Sequence, residues 1–395
     1  MNHPTLKSLT LGIGLFFTLP LVYANSSFPS SSDGTLYINK SKTRKVAPVK
    51  YGFHYEEIGM MGEGALHAEL IRNRSFEEAT PPAGLSVKNG LYENVPAPRV
   101  KEKKVFQADP LIGWTTYPLS YAPVFVSRTE TDPMSEENKY SMLVNVTEDI
   151  ANHPDALILN RGYYGMNLKT DTSYRLSLFL KSRNYSAPLR VFLVDELGQQ
   201  VSNVIEVNIE NRDWTKYTGE LKPEKNVQRG MLAIQPMSKG QFQIDVVSLF
   251  PSDTWNEGKS VFRKDIVQNL KEFAPCFIRF PGGCIVHGVN EETMYHWKKT
   301  LGPIENRPGQ WSKWAPYYRT DGIGYHEFYE LCEYVGADAM YVMPTGMICS
   351  GWVKQSPQWN FRHIDVDLDA YIQDALDAIE DAIGDTTVSY THLTL

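Results

Sequence analysis

The chain has 395 residues, of which 42% are hydrophobic and 22% charged, and 46 acidic against 39 basic residues give a net charge of −7. This composition excludes a disordered or collagen-like chain, and the length predicts two or three domains. The acidic balance argues against a nucleic-acid binder, because phosphate contacts need clustered Lys and Arg. Aromatic residues reach 12%, and their flat apolar faces suit either sugar rings or a protein core.

Residues 1–24 are predicted to form a secretory signal peptide. Lys7 precedes an apolar run from Leu9 to Val22, and the small residue Ala24 ends the segment. A membrane anchor is the alternative, but Pro20 interrupts the run, which is shorter than the roughly 20 apolar residues that a spanning helix needs. The sequence therefore predicts a secreted or periplasmic chain.

Residues 25–104 are predicted to hold a Ser/Pro-rich linker and one strand with its loop. The strand covers Val49–Glu56, the glycine-rich loop covers Gly59–Gly64, and Ala65–Ile71 is predicted to be a short helix. Glu56 and Glu57 end the strand. Because neighbouring side chains on a strand point to opposite faces, at most one of them is expected to enter a site; a solvated surface position is the alternative for each.

Residues 105–252 are predicted to form a β-sandwich or jelly roll without helices. Tyr174–Leu180 and Leu189–Val194 are strand-length runs, and Glu196–Gln199 is predicted to be a hairpin turn. Many short strands separated by frequent turn residues are typical of these folds.

Residues 253–385 change to an alternation of helices and strands. The predicted elements are the helix Arg263–Phe273, the strand Cys276–Phe280, the helix His326–Val335, the strand Ala339–Met343 and a helix from Leu368 to Ile383. Alternating strands and helices imply a parallel sheet, with chemistry in the loops after the strands.

The sharpest local motif in this part is Arg279-Phe280-Pro281-Gly282-Gly283-Cys284. Its two glycines let the backbone approach a ligand closely, and Arg279 brings five hydrogen-bond donors. A purely structural turn is the alternative.

A loop-rich stretch follows, with Trp297, Trp311 and Trp314 beside Arg307 and Arg319. It is interpreted either as a sugar platform or as a packed lid. The chain has four cysteines, and their spacing predicts no metal site. Three pairings are open to them, and we expect them to be mostly free or to form at most one or two disulfides.

Several of these motifs together resemble the α-L-arabinofuranosidases of glycoside hydrolase family 51. The matching segments are Tyr51–Gly59, Gly62–Phe76, Phe277–Cys284, Gly302–Ile304 and Asp321–Gly324. The middle part, which closes on Asp245–Pro251, resembles the carbohydrate-binding jelly roll inserted in one branch of that family. The implied fold is a partial (β/α)₈ TIM barrel interrupted by a β-sandwich: 105–252 is the sandwich, 253–385 supplies barrel strands two and three, and 386–395 is a tail without family resemblance.

The resemblance also implies roles for individual residues. Glu56 would contact the arabinofuranose and Arg279 would line its subsite. Cys284 stands where some members carry an Asn that hydrogen-bonds the sugar, and Trp314 aligns loosely with a sugar-facing tryptophan. No cofactor and no metal are implied.

The expected reaction is hydrolysis with retention by two carboxylates about 5 Å apart. Both catalytic glutamates are expected beyond Leu395, so no catalytic residue is assigned in this chain, which alone is expected to be inactive. The leading hypothesis is therefore the N-terminal part of an arabinofuranosidase that removes terminal arabinofuranosyl groups from arabinan- or arabinoxylan-type polysaccharides.

The alternative is a non-catalytic carbohydrate-binding protein. The expected partner in both cases is an arabinose-containing plant polysaccharide or oligosaccharide, with neither nucleic acid nor membrane; the oligomeric state stays open. In the jelly roll, Tyr163, Tyr164, Trp214 and Tyr217 are interpreted either as sugar-stacking or as buried residues.

Overall fold

The computed structural model describes residues 51–81, 86–93, 107–118, 123–150, 153–209, 211–312, 317–349 and 361–384. The predicted signal peptide at 1–24 and the predicted tail at 386–395 lie outside these ranges and stay predictions. Within the described ranges, no helix is both long and apolar enough to cross a bilayer.

The strands up to the end of the sandwich are β1 (Gly52–His54), β2 (Ser86–Lys88), β3 (Leu91–Glu93), β4 (Trp114–Tyr117), β5 (Val124–Thr129), β6 (Ser141–Val146), β7 (Leu157–Asn160), β8 (Met166–Leu168), β9 (Tyr174–Ser182), β10 (Pro188–Val194), β11 (Ile205–Asn208), β12 (Thr215–Leu221), β13 (Val227–Pro236) and β14 (Gly240–Pro251). The later elements are α1 (Lys264–Phe273), β15 (Phe277–Phe280), α2 (Cys284–His287), β16 (Gln310–Trp311), β17 (Tyr318–Arg319), α3 (Tyr325–Val335), β18 (Asp338–Tyr341), β19 (Met347–Cys349), β20 (Phe361–His363) and α4 (Leu368–Ile383).

Three parallel strands form the sheet that carries the candidate site. Their order is β1–β15–β18, and the register places His54 beside Arg279 and Arg279 beside Met340. The strands predicted near Tyr51, Phe277 and Met340 are thus confirmed, together with the parallel pairing. Among the described residues the sheet stays at three strands and closes no barrel, as the partial-barrel prediction expects.

Helices cover one face of this sheet. Ile278 and Phe280 are buried on that face with Val267 of α1 and Phe328 of α3. The ring of Phe280 stacks on that of Phe328, with centroids 4.7 Å apart and planes at 14°. The opposite face carries His54, Arg279 and Met340 and is exposed or half-buried in the described part of the chain.

The helix ends follow from local sequence. Ala274 ends α1 in the left-handed region at φ 48°. Gly336 ends α3 at φ 80°, where its N–H donates to the carbonyl of Cys332 at 2.9 Å. The Asp367 side chain begins α4 by accepting from the N–H groups of residues 369 and 370.

Between β1 and β15 the chain builds a sandwich of two antiparallel sheets, as the sequence predicts. One sheet has the order β11–β10–β13–β7–β4, with β8 also paired to β13, and the other has the order β12–β9–β14–β6–β5. Strand β9 shows the reason: Tyr174, Leu176, Leu178 and Leu180 are buried while the residues between them are not. This period of two places one apolar row between the sheets.

The junction between the parallel sheet and the sandwich corrects one prediction. Ala65–Ile71 is not a helix: a π-helical turn covers Gly62–Leu66, and the chain then runs extended. The buried carboxylate of Glu69 accepts from the N–H groups of Ile71 and Leu249, both at 2.9 Å. These bonds hold the segment against β14, so its backbone pairs with the sandwich instead of with itself.

Candidate functional site

Glu56 lies just past the C-terminal end of β1, at the edge where the neighbouring strand β15 also ends. It is 7% exposed, and its Oε1 accepts from the backbone N–H of Ile285 at 2.8 Å. Gly282 passes so close that a Cβ there would lie 2.6 Å from Cγ of Glu56, and its φ of +151° also favours glycine. The two-glycine motif is therefore more than a turn, because its backbone packs directly against the side chain of Glu56.

Arg279 occupies the open face of the sheet, one strand away from Glu56. Its Nη1 lies 2.8 Å from Nε2 of His54, the residue beside it in the register. The N–H of Tyr55 donates to the carbonyl of Arg279 at 2.8 Å, which extends the pairing of the two strands toward Glu56. The predicted pair of Glu56 and Arg279 thus lies on adjacent strands at one edge.

Of the other two predicted site residues, the structure describes Cys284 but not Trp314. Cys284 is half-buried and opens α2, immediately before the Ile285 donor that holds Glu56. Trp314 lies outside the described residues, so its sugar-facing role stays a prediction. The structure therefore places Glu56, Arg279 and Cys284 near the C-terminal ends of β1 and β15.

Glu57 is buried as well, which corrects the surface interpretation for both carboxylates. Glu56 and Glu57 are 7% and 3% exposed. Glu57 accepts from the hydroxyl of Tyr55 at 2.9 Å, from the N–H of Gly62 at 2.6 Å and from the hydroxyl of Tyr317 at 2.9 Å. The loop at Gly62 and the side chain of Tyr317 cover Glu57. Glu57 is therefore buried even though it points away from Glu56.

Glu63, which sequence analysis missed, completes this buried acidic cluster. It accepts from the N–H of Thr320 at 2.7 Å and from its hydroxyl at 2.8 Å. Burial, followed by repulsion from Glu57, raises the pKa of Glu63 to about 7. Its position between two glycines, which allow close backbone approach, was the available signal.

The tryptophan-rich stretch packs inward. Trp297 and Trp311 are 0% and 5% exposed, so the packed-lid interpretation holds for both and the sugar-platform interpretation is wrong for them. Arg307 reaches Glu327 with two nitrogens, at 3.1 and 2.7 Å. Arg319 pairs with Asp321 at 2.8 Å, and both are buried. Arg307 thus links this stretch to α3, whereas the pair of Arg319 and Asp321 lies within the stretch.

A separate cleft of about 610 Å³ lies where the sandwich meets α1. Tyr164 at its lip is 74% exposed, whereas Tyr163 is half-buried with its hydroxyl 3.5 Å from Glu63. Trp214 and Tyr217 are half-buried elsewhere on the sandwich. Of the four aromatic residues considered for stacking, Tyr164 alone presents most of its ring to solvent.

The sequence and structure are similar to those of arabinofuranosidases. Residues 269–393 match the family described as the alpha-L-arabinofuranosidase 1 domain. Alpha-L-arabinofuranosidase 1 of Arabidopsis thaliana is 28% identical over 88% of this chain and 46% of its own length. The extracellular exo-alpha-L-arabinofuranosidase of Streptomyces chartreusis is 27% identical over 88% of this chain and 38% of its own.

A solved structure shows the same fold. The arabinose-bound MgGH51 α-L-arabinofuranosidase superposes with a TM-score of 0.69 and 24% identity, covering 87% of this chain and 50% of that one. The chain spans about half the length of the curated relatives it matches. Together these findings confirm the resemblance to the α-L-arabinofuranosidases of glycoside hydrolase family 51.

Proposed function

We propose that this chain forms the arabinofuranose-contacting part of a retaining α-L-arabinofuranosidase that removes terminal arabinofuranosyl groups from arabinan- or arabinoxylan-type polysaccharides. The observation that carries the proposal is the way in which the backbone holds the Glu56 side chain. A carboxylate that a glycine pair and a backbone donor hold at the C-terminal edge of parallel strands stands where folds of this class place their chemistry. The arabinofuranosidase names of the relatives supply the substrate class.

The chemistry of the residues suits a furanose rich in hydroxyl groups. An ionised carboxylate accepts only, and it offers about four lone-pair sites to sugar hydroxyls. The guanidinium of Arg279 donates only, so it complements Glu56 from the adjacent strand. Such an acceptor and donor pair orients a sugar without attacking it, and the proposal gives Glu56 a binding role.

A binding titration tests this role. Binding of arabino-oligosaccharides to the full chain is measured for the wild type, Glu56→Gln and the matched control Glu272→Gln, whose residue lies exposed on α1. We expect Glu56→Gln to weaken binding by about 10- to 100-fold, since hydrogen bonds to charged groups contribute about 1.5–3 kcal/mol. The control should leave affinity unchanged, and equal affinities for all three proteins would refute the assignment.

Hydrolysis is tested separately on an aryl α-L-arabinofuranoside. The proposal places the acid/base and the nucleophile outside this chain, so the purified wild type should release no aryl alcohol above the rate of the blank. Turnover by the wild type that Glu56→Gln abolishes would instead make Glu56 catalytic.

The cleft beside the sandwich favours a second candidate function, non-catalytic polysaccharide binding. Tyr164 offers an exposed ring at its lip, and Lys169, Asp253 and Gln268 offer polar groups along its wall. Tyr164→Ala should weaken retention on arabinoxylan by about three- to tenfold if the ring stacks on sugar. Phe125→Ala, at another exposed aromatic residue of the sandwich, is the control. Equal retention of both variants and the wild type would remove this candidate.

Export to the secreted or periplasmic space completes the proposal. The predicted signal peptide at 1–24 and the extracellular relative from Streptomyces support it. N-terminal sequencing of the exported protein should begin at Asn25. A product that starts at Met1 and stays inside the cell would contradict export.

A further inference from the structure

The side chains of two cysteines are in contact beside the loop that holds Glu56. Sγ of Cys284, the first residue of α2, lies 3.6 Å from Sγ of Cys349, the last residue of β19. The N–H of Cys349 donates to the carbonyl of Gly288 at 3.1 Å, which fixes β19 against the end of α2. A disulfide needs its sulfur atoms about 2.05 Å apart, so the two sulfur atoms must approach each other by about 1.5 Å.

We propose that Cys284 and Cys349 are a disulfide-forming pair, closed by a small-molecule or protein disulfide in the compartment to which the chain is exported. The sequence alone left three pairings open. The structure selects this one because it brings these two sulfur atoms into contact across the loops that follow β15 and β18.

The remaining two cysteines are poor candidates for the same chemistry. Cys332 is buried in α3, where burial, followed by the nearby charge of Asp338, raises the pKa of its thiol to about 12. Because the thiolate is the reacting form, such a thiol exchanges slowly. Cys276 precedes β15, where its N–H bonds to the carbonyl of Tyr51.

The exchange balances in two steps. The Cys284 thiolate attacks one sulfur of the oxidant disulfide, forms a mixed disulfide and releases one thiolate of the oxidant. The Cys349 thiolate then attacks Sγ of Cys284, and the second half of the oxidant leaves as a thiolate. The two protein thiols lose two protons and two electrons, and the oxidant disulfide becomes two thiols. Cys284 reacts first because it is half-buried, whereas Cys349 is 3% exposed.

Closure of this pair fastens the segment that orients Glu56. Ile285, whose N–H donates to Glu56, directly follows Cys284. A covalent link from Cys284 to β19 therefore ties the Glu56 donor to the segment after the third strand of the sheet, in addition to the backbone bond at Gly288.

Thiol counting on the full-length chain tests the proposal without any sugar. The chain has four cysteines, so the reduced protein should titrate four thiols in denaturant. After incubation of the folded protein with oxidised glutathione we expect two thiols, and a non-reduced digest should yield one peptide pair that joins Cys284 to Cys349. Four remaining thiols, or a linked peptide that contains Cys276 or Cys332, would overturn the pairing.

Single serine variants resolve the order of the steps. Cys349→Ser should stop at the first step and retain one glutathione on Cys284. Cys284→Ser should keep its three thiols. The control Cys332→Ser should still lose two of its three. An internal cross-link in Cys349→Ser or in Cys284→Ser would show that another cysteine is the partner.

Discussion

The buried carboxylate of Glu63 makes the stability of the fold depend on pH, and replacing it with the neutral isostere glutamine exposes that dependence. Its pKa rises from 4.5 to about 7, and at about 1.36 kcal/mol per pH unit this difference corresponds to about 3 kcal/mol. Because the folded-state pKa is the higher one, the fold is undisturbed below pH 4.5, where the group is protonated in both states. It loses stability as the pH rises to about 7.

Glu63→Gln removes the charge and keeps the hydrogen bonds with Thr320. The amide oxygen replaces Oε1 and accepts from the N–H of Thr320, while the amide nitrogen donates to its hydroxyl oxygen. We therefore expect the variant to match the wild type at pH 4.5 and to exceed its free energy of unfolding by about 2–3 kcal/mol at pH 8.

Urea unfolding followed by tryptophan fluorescence measures both values. Glu206→Gln, at an exposed position of β11, is the matched control and should change stability at neither pH. If Glu63→Gln were destabilised equally at pH 4.5 and pH 8, the hydrogen-bond geometry rather than the charge would govern this site, and the reasoning would fail.

Two further substitutions test how the lid and the sheet are held. Arg307→Gln removes the two hydrogen bonds to the carboxylate of Glu327 and should lower the free energy of unfolding by about 3–5 kcal/mol. The control is Arg212→Gln, at an exposed position. Equal free energies of unfolding for the two variants would contradict a structural role for the pair of Arg307 and Glu327. Phe280→Ala removes a fully buried ring and should lower the free energy of unfolding by about 3–5 kcal/mol in the same assay. The control Leu197→Ala, at an exposed position, should lower it by less than about 0.5 kcal/mol. A decrease below about 1 kcal/mol for Phe280→Ala would mean that the helices repack into the cavity.

Periodicity predicted the strands and helices that were named from the sequence, except the helix at Ala65–Ile71, and the family resemblance predicted their arrangement. The alternation in Tyr174–Ser182 and the apolar strand before the two glycines specify buried faces by themselves. The burial of Glu57 was beyond such reasoning, because its cover comes from Tyr317, 260 residues away in sequence. The extended course of His67–Ile71 was equally hidden, since the bonds that override its helical pattern come from the sandwich.

The candidate site, too, could be predicted from the sequence only in part. The family resemblance pointed to Glu56, which follows β1, and to Arg279, which lies within β15. It did not reveal that the N–H of Ile285 holds Glu56, since that bond joins residues 229 positions apart. Charge repulsion between Glu57 and Glu63 likewise depends on a loop reversal that composition and spacing leave open.

The insertion of a whole sandwich between two adjacent strands has a consequence for the order of folding. Gly52 of β1 pairs with Phe277 of β15, 277 − 52 = 225 positions later. If the intervening chain were unstructured, closing so long a loop would be entropically expensive and slow. The folded sandwich shortens that search, because its entry and exit meet where the N–H of Leu70 bonds to the carbonyl of Leu249 and the N–H of Ala68 bonds to that of Val261. The folded sandwich thus holds the two chain segments that lead to β1 and to β15 next to each other.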